Sequence, residues 1–271
     1  MIDQKLHDEL RAKFNPDDSE LRWAQLRMLS ILITLDKICR EHRLKYWLDS
    51  GTLIGAVRHG GFIPWDDDID VCMMKKDADK LKEVMGNKIW DDHVVLQNHE
   101  TDPNYFNSSW MTLRDTKSEY IMDQYYHNKF KYKGFQVDIF IIENNIPIGL
   151  LKFSSNLFNF FVTSPLMGRH NLTFMRKLVP LNYFLLTKIV FPVFNIFKRK
   201  SDKVSSGFGA GFLKIQKKTS IFPLKTIEFE NYSFPCPYNI DAYLKQLYGS
   251  WEIIPSLDKI HTHNVKFKFL D

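Results

Sequence analysis

Residues 46–74 read YWLDSGTLIGAVRHGGFIPWDDDIDVCMM, with Tyr46-Trp47-Leu48 ahead of Asp49-Ser50-Gly51-Thr52 and four aspartates packed into positions 66–70. An unpaired ionised carboxylate in a low-dielectric core costs far more than packing returns, so this acidic run must face water, a cation or both. Tyr46–Leu48 predicts a short strand ended by Ser50 and Gly51, and Thr52–Arg58 a helical turn whose first amides point back at the strand tip. Free N–H groups at such a helix start suit phosphate, although an ordinary strand-to-helix turn would look the same. His59–Trp65 carries paired glycines and a proline and predicts a loop. Ile69, Val71 and Met73 then alternate with Asp68, Asp70 and Cys72, as in a strand. A period of two puts the carboxylates of Asp68 and Asp70 on one face and buries Ile69 and Val71 on the other, and two such charges repel unless a cation lies between them.

The surrounding chain is that of a folded globular protein, with 271 residues, 44% hydrophobic and 25% charged. Its formal charge of +5 favours polyanionic partners without choosing among them. Cys39, Cys72 and Cys236 are odd in number and widely spaced, which suits a reducing compartment and argues against a disulfide scaffold. The charged opening residues do not read as a signal peptide, and an intracellular place of action is expected.

Upstream, residues 1–15 predict a short helix or an ordered arm, and Asp18 or Ser19 caps a long helix running to about His42, across the back of a sheet. Downstream, Lys76–Met85 predicts a helix and His93–Gln97 a strand, with Trp110–Arg114 and Glu119–Met122 a hairpin or paired strands. Phe135–Ile142, FQVDIFII, predicts a buried strand broken only by Asp138, which either pairs locally or completes a site with Asp68 and Asp70. Residues 150–200 are apolar on several faces and end in Lys198-Arg199-Lys200, but Asn182, Lys188 and Pro192 interrupt them. Core helices or an interfacial pair on anionic lipid fit this better than a span. Ser205–Gly211 predicts a flexible link, Ile227–Phe229 and Tyr232–Pro235 edge strands, and Asn239 or Asp241 the cap of a helix over Ala242–Tyr248. His261 and His263 read as part of a surface tail.

A helix-start amide nest, an Asp-x-Asp strand and a later strand carboxylate are the parts that phosphoryl or nucleotidyl transfer needs. Acidic ligands without His or Cys favour Mg2+ or Mn2+ over zinc. A calcium loop lacks the D-x-D-x-D-G order, and a nucleic-acid binder lacks a zinc finger or dense basic helix, so no nucleic-acid partner is expected.

LDSGTLIGAVRHGGFIPWDDDIDVCM resembles, nearly residue for residue, the signature of the LicD and fukutin family of phosphotransferases. FQVDIF at 135–140 and YLKQLYGSWEIIP at 243–255 are similar to the family as well. The resemblance implies an α+β, nucleotidyltransferase-type (polymerase-beta-like) mixed sheet with flanking helices and an added helical segment. The expected organisation is a core over residues 1–149 with an N-terminal helix, a helical insertion over 150–204, where the resemblance is weakest and the apolar composition admits a membrane-surface role, and a part completing the catalytic domain over 205–271. By the same resemblance Asp68, Asp70 and Asp138 hold Mg2+ or Mn2+, with Asp138 ligand or base, and Ser50, Gly51 and Thr52 cradle phosphate where the family commonly has glycine at the Ser50 position. Arg58 and His59 are implied to contact diphosphate, and Asp66 and Asp67 to shape the loop or bind a second cation. The implied reaction takes phosphocholine from CDP-choline to a sugar hydroxyl of teichoic acid or lipopolysaccharide, releasing CMP, at the cytoplasmic face of the membrane. Another CDP-alcohol, nucleotidyl transfer and an inactive glycan-assembly scaffold are the alternatives. Aromatic faces bind a fixed cation such as choline; Trp65 is the first candidate, before Trp47, Trp110, Tyr125, Tyr126 and Trp251.

Overall fold

The computed structural model describes residues 3–105, 110–121, 127–144, 148–163, 178–190, 192–193, 202–206, 214–256 and 266–270. Tyr125, Tyr126, Lys198–Lys200, His261 and His263 lie outside them. Helices α1 (Gln4–Phe14) and α2 (Glu20–Glu41) precede β1 (Tyr46–Leu48), α3 (Ser50–His59), β2 (Asp70–Met74), α4 (Lys75–Met85) and β3 (Val94–Gln97). Strands β4 (Trp110–Asp115), β5 (Ser118–Ile121) and β6 (Gln136–Asn144) lead to α5 (Ile148–Thr163) and α6 (Leu178–Leu185), the latter continued by a π turn over Leu186–Val190. Strands β7 (Lys203–Ser206) and β8 (Lys214–Lys217), α7 (Lys218–Ile221), the pair β9 (Lys225–Phe229) and β10 (Tyr232–Cys236), α8 (Ile240–Tyr248) and β11 (Lys266–Phe269) follow.

Among the described residues, seven strands form one mixed sheet, ordered β1-β2-β6-β4-β3, with β7 joined to the far end of β6 and β8 to β7. The fold is α+β. Strands β2 and β6 run parallel, in a register that sets Asp70 beside Asp138, Val71 beside Ile139 and Cys72 beside Phe140. One face of this pair, built by Val71, Met73, Val137, Ile139 and Ile141, is buried in the core with α2 and α4. Ser19 caps α2 by accepting from the Arg22 amide, and the buried positions of that helix, Ala24 through Cys39, recur at helical spacing. The opposite sheet face carries Asp70 and Asp138, and there the site is built.

The loop between α3 and β2 is fixed from three sides. Gln25, sealed within α2, donates Nε2 to the Asp66 carbonyl at 2.9 Å. Glu230, in the tight turn between β9 and β10, accepts from the Phe62 amide at 3.1 Å and from Arg22 Nη2 at 2.6 Å. The third side is α3 itself, whose Gly55 faces the Gly61 carbonyl so closely that an added Cβ would stand 2.4 Å from it.

Two expectations are corrected. β4 and β5 do not pair with each other: β4 lies between β3 and β6, whereas β5 pairs with β11. Ser205 and Ser206 are not in a link but in β7, opposite Glu143 and Lys214 respectively for the β6 and β8 neighbours. Helices α5 and α6 enclose a small cluster of their own, Leu151 and Leu186, packed by Leu150, Val190 and Ile215. Phe153, Phe160, Leu181, Phe184 and Ile189 of the same segment are exposed. No helix among the described residues is long and apolar enough to cross a membrane.

Candidate active site

Three carboxylates stand side by side on adjacent strands. Asp49 ends β1, and its amide donates to the Asp70 carbonyl at 3.0 Å; Asp70 opens β2; Asp138 sits in register on β6. Thr52, in the first turn of α3, accepts from the Asp70 amide at 2.9 Å, which ties the helix start to the acidic strand. Asp68 remains in the loop ahead of β2, near enough to act electrostatically on Asp70.

The charges oppose one another. Burial, then Asp68, Asp138 and Asp49, hold the Asp70 carboxyl well above the usual carboxylate range. Burial, then Asp68 and Asp67, do the same to Asp66. Burial also raises Asp138, against hydrogen bonds from Thr112 Oγ1 at 2.7 Å and Gln136 Nε2 at 3.0 Å. Among the described residues, no three His, Cys, Asp or Glu side chains are drawn together into a ready metal cage. The donor set is nevertheless all carboxylate and mutually repelling, the chemistry that a hard divalent cation relieves.

Helix α3 begins beside this row. Ser50 has φ of +49°, in the left-handed region where glycine is at ease. Asp66 Oδ2 passes so near Gly51 that a Cβ there would stand at 2.6 Å, so the first aspartate of the loop is folded onto the helix start. Arg58 and His59 are turned elsewhere. Arg58 Nη2 donates to the Trp251 and Ile253 carbonyls. His59 Nδ1 meets His7 Nδ1 at 3.0 Å, and burial, then His7 and Arg58, push its pKa down to about 4.

Among the described residues, the aromatic candidates do not converge. Trp47 is sealed in the core against Phe222; Trp65 is half-buried, edge-on to Phe14 and His59; Trp110 leans on Phe140; Trp251 donates Nε1 to Asp241.

Sequence reasoning gave no role to Asp49, Lys214 or Tyr243, which meet at the site. Asp49 is fully buried and accepts from Tyr243 OH at 2.7 Å, Ser50 Oγ at 3.1 Å and Lys214 Nζ at 3.3 Å. Burial would raise its carboxyl, yet Lys214 and Tyr243 bring it below the ordinary value. The one sequence signal was an aspartate directly ahead of Ser-Gly-Thr at a strand end.

Residues 43–195, more than half of the chain, match the model for the LicD/FKTN/FKRP nucleotidyltransferase domain. The lipopolysaccharide cholinephosphotransferase LicD of Haemophilus influenzae is 48% identical over 64 residues, which is 24% of this chain and 24% of that protein. The ribitol 5-phosphate transferase FKRP of Homo sapiens is 42% identical over 43 residues, 16% of this chain and 9% of that protein. The matched stretches thus span about a quarter or less of these curated relatives. On the match over residues 43–195, which holds the strand-end Asp49, the start of α3 and the carboxylates of β2 and β6, the chain belongs to the LicD/FKTN/FKRP family.

Proposed function

We propose that this chain transfers phosphocholine from CDP-choline to a sugar hydroxyl of a cell-surface glycan precursor, teichoic acid or lipopolysaccharide, and releases CMP. The observation that carries the reading is the carboxylate row across β1, β2 and β6 beside the first turn of α3. The underlying fold is proposed to be of the nucleotidyltransferase type, in keeping with the name of the matching family model. Asp68, Asp70 and Asp138 would hold Mg2+ or Mn2+, which neutralises charge on the diphosphate as the bond to CMP breaks. The amides of Ser50, Gly51 and Thr52, which a helix start leaves without intrahelical acceptors, bind phosphate oxygens. The acceptor hydroxyl attacks the phosphorus bearing choline, CMP departs with the bond electrons, and Asp138, which faces the row, takes the acceptor proton. Trp65, half-buried beside the acidic loop, is the aromatic face offered to choline.

The FKRP similarity favours ribitol phosphate as a second donor group. CMP release should therefore be assayed from CDP-choline, CDP-ribitol and CDP-glycerol with Mg2+ or Mn2+ and a glycolipid acceptor. CDP-choline is expected to be the best substrate; release from CDP-ribitol alone would move the donor assignment, and a nucleotidylated acceptor with released phosphocholine would replace the reaction.

The exposed apolar side chains of α5 and α6 support peripheral contact with anionic lipid at the cytoplasmic face. The full chain is expected to float with vesicles containing phosphatidylglycerol, and Phe153→Asp with Phe184→Asp to remain at the bottom of the gradient. Equal flotation of both would exclude this face.

A further inference from the structure

Lys214 opens β8, beyond the residues that match the family model, and reaches back across the sheet to the start of α3. Its ammonium lies 2.6 Å from Ser50 Oγ, 3.3 Å from Asp49 Oδ2 and 5.3 Å from the centre of the Phe140 ring. Phe140 follows Asp138 by one strand period, so the lysine lies over the same sheet face as the carboxylates. Were Lys214 only the counter-ion of Asp49, its closest approach should be to that carboxylate. Of the two, the Ser50 hydroxyl is the nearer, while Asp49 is already served by Tyr243 OH at 2.7 Å and Trp47 Nε1 steadies that hydroxyl at 3.1 Å. The lysine side chain keeps 27% exposure. The cavity beneath it, about 10 Å³ and lined by Asp49, Cys72, Gln216 and Tyr243, has room for about one water and none for a phosphate. An anion therefore meets the ammonium from the solvent side.

Resting on the donor reading above, we infer that Lys214 binds the diphosphate of the donor, with buried Asp49 and Ser50 holding its ammonium beside the start of α3. Asp49 is then a positioning residue that fixes where the positive charge stands. Asp68, Asp70 and Asp138 are suited to a cation, and Lys214 supplies a fixed positive charge for phosphate oxygens on the same face.

The test titrates the full chain with CDP and with cytidine, both with Mg2+, by calorimetry. Wild type is expected to bind CDP more tightly than cytidine. Lys214→Met is expected to weaken CDP about ten- to hundredfold, the worth of a hydrogen bond to a charged group, and to leave cytidine unchanged. A structural loosening would weaken both. Because this variant strands the Asp49 charge, Lys214→Met with Asp49→Asn provides a neutralised background in which the same selective loss is expected. Reductive methylation of wild type, read by mass spectrometry, needs no variant: CDP but not cytidine should slow modification of Lys214. An unchanged ratio of CDP to cytidine affinity in the folded variants, or equal modification rates, would overturn the role of Lys214 and leave the donor reading intact. Wild type that binds both ligands equally would overturn the donor reading, and this inference with it.

Discussion

Replacing Asp70 by Asn is expected to move activity and stability in opposite directions. The substitution keeps the shape of the side chain and leaves its backbone ties untouched, since Thr52 accepts from the Asp70 amide and the Asp70 carbonyl accepts from Asp49. What it removes is one negative charge from among Asp49, Asp68 and Asp138, each of which opposes ionisation of Asp70. In EDTA the variant should be more stable than wild type by about 1 kcal/mol, the usual gain when a functional charge cluster is relieved, or roughly 2–4 °C in midpoint for a chain of this size. CMP release should fall about a thousandfold, because charge stabilisation by a bound metal is worth several kcal/mol. Added Mg2+ supplies a third reading. At a hundred times its dissociation constant it should stabilise wild type by about 2.7 kcal/mol and the variant by far less. Thermal unfolding with and without Mg2+, alongside the CMP assay, checks all three. A variant that keeps full turnover, or that melts lower in EDTA, would mean that Asp70 is a structural carboxylate and that the metal site lies elsewhere.

The parts legible in the sequence are those whose cause is local. A cap followed by apolar residues at helical spacing marks α2, and alternation marks β2 and β6, because burial on one face leaves a period in the chain. The register that sets Asp70 beside Asp138 is not local, yet two carboxylate-bearing strands were enough to suggest a shared site. What escaped depends on distance in the chain. Strands β7 and β8, KVSS and KIQK, are short and polar, and they are strands because β6 offers β7 an edge and β7 offers β8 one. Strand β5 finds its partner in β11 across more than a hundred residues, so its closeness to β4 in sequence misled. Asp49 and Lys214 are separated by 165 positions, and nothing periodic joins them. Arg58 shows that nearness in sequence is not by itself nearness in space. It lies eight residues past Ser50, about 12 Å along the helix at 1.5 Å per residue, and its guanidinium anchors the Trp251 and Ile253 carbonyls.

Gly55→Ala is expected to damage both the fold and the site, although helix propensity alone predicts the reverse. Alanine in a helix interior is favoured over glycine by about 1 kcal/mol. At position 55, however, the new Cβ would lie 2.4 Å from the Gly61 carbonyl oxygen and 3.1 Å from the Ile63 amide nitrogen, both backbone atoms. Neither can swing aside as a side chain would. The Gly60 carbonyl accepts from the Glu230 amide at 2.8 Å, the Phe62 amide donates to the Glu230 carboxylate at 3.1 Å, and that carboxylate is locked to Arg22. Relief must come from moving α3 away from the loop, an overpacking cost of about 3 kcal/mol that outweighs the propensity gain. The same displacement carries the start of α3 away from Asp66, whose carboxylate lies against Gly51, and from the Asp70 amide held by Thr52. A misplacement of about 1 Å at a reacting centre costs on the order of a hundredfold in rate, so CMP release should fall by that much in the protein that remains folded. Gly149→Ala in α5 is the control, since no atom lies within 4 Å of its added Cβ. There only propensity acts, and the change should be neutral or slightly stabilising. Urea unfolding of the two variants should therefore give midpoints on opposite sides of, or one below and one level with, that of wild type. Equal midpoints would mean that the loop yields to α3 and that its anchors at Gln25 and Glu230 do not fix the acidic run.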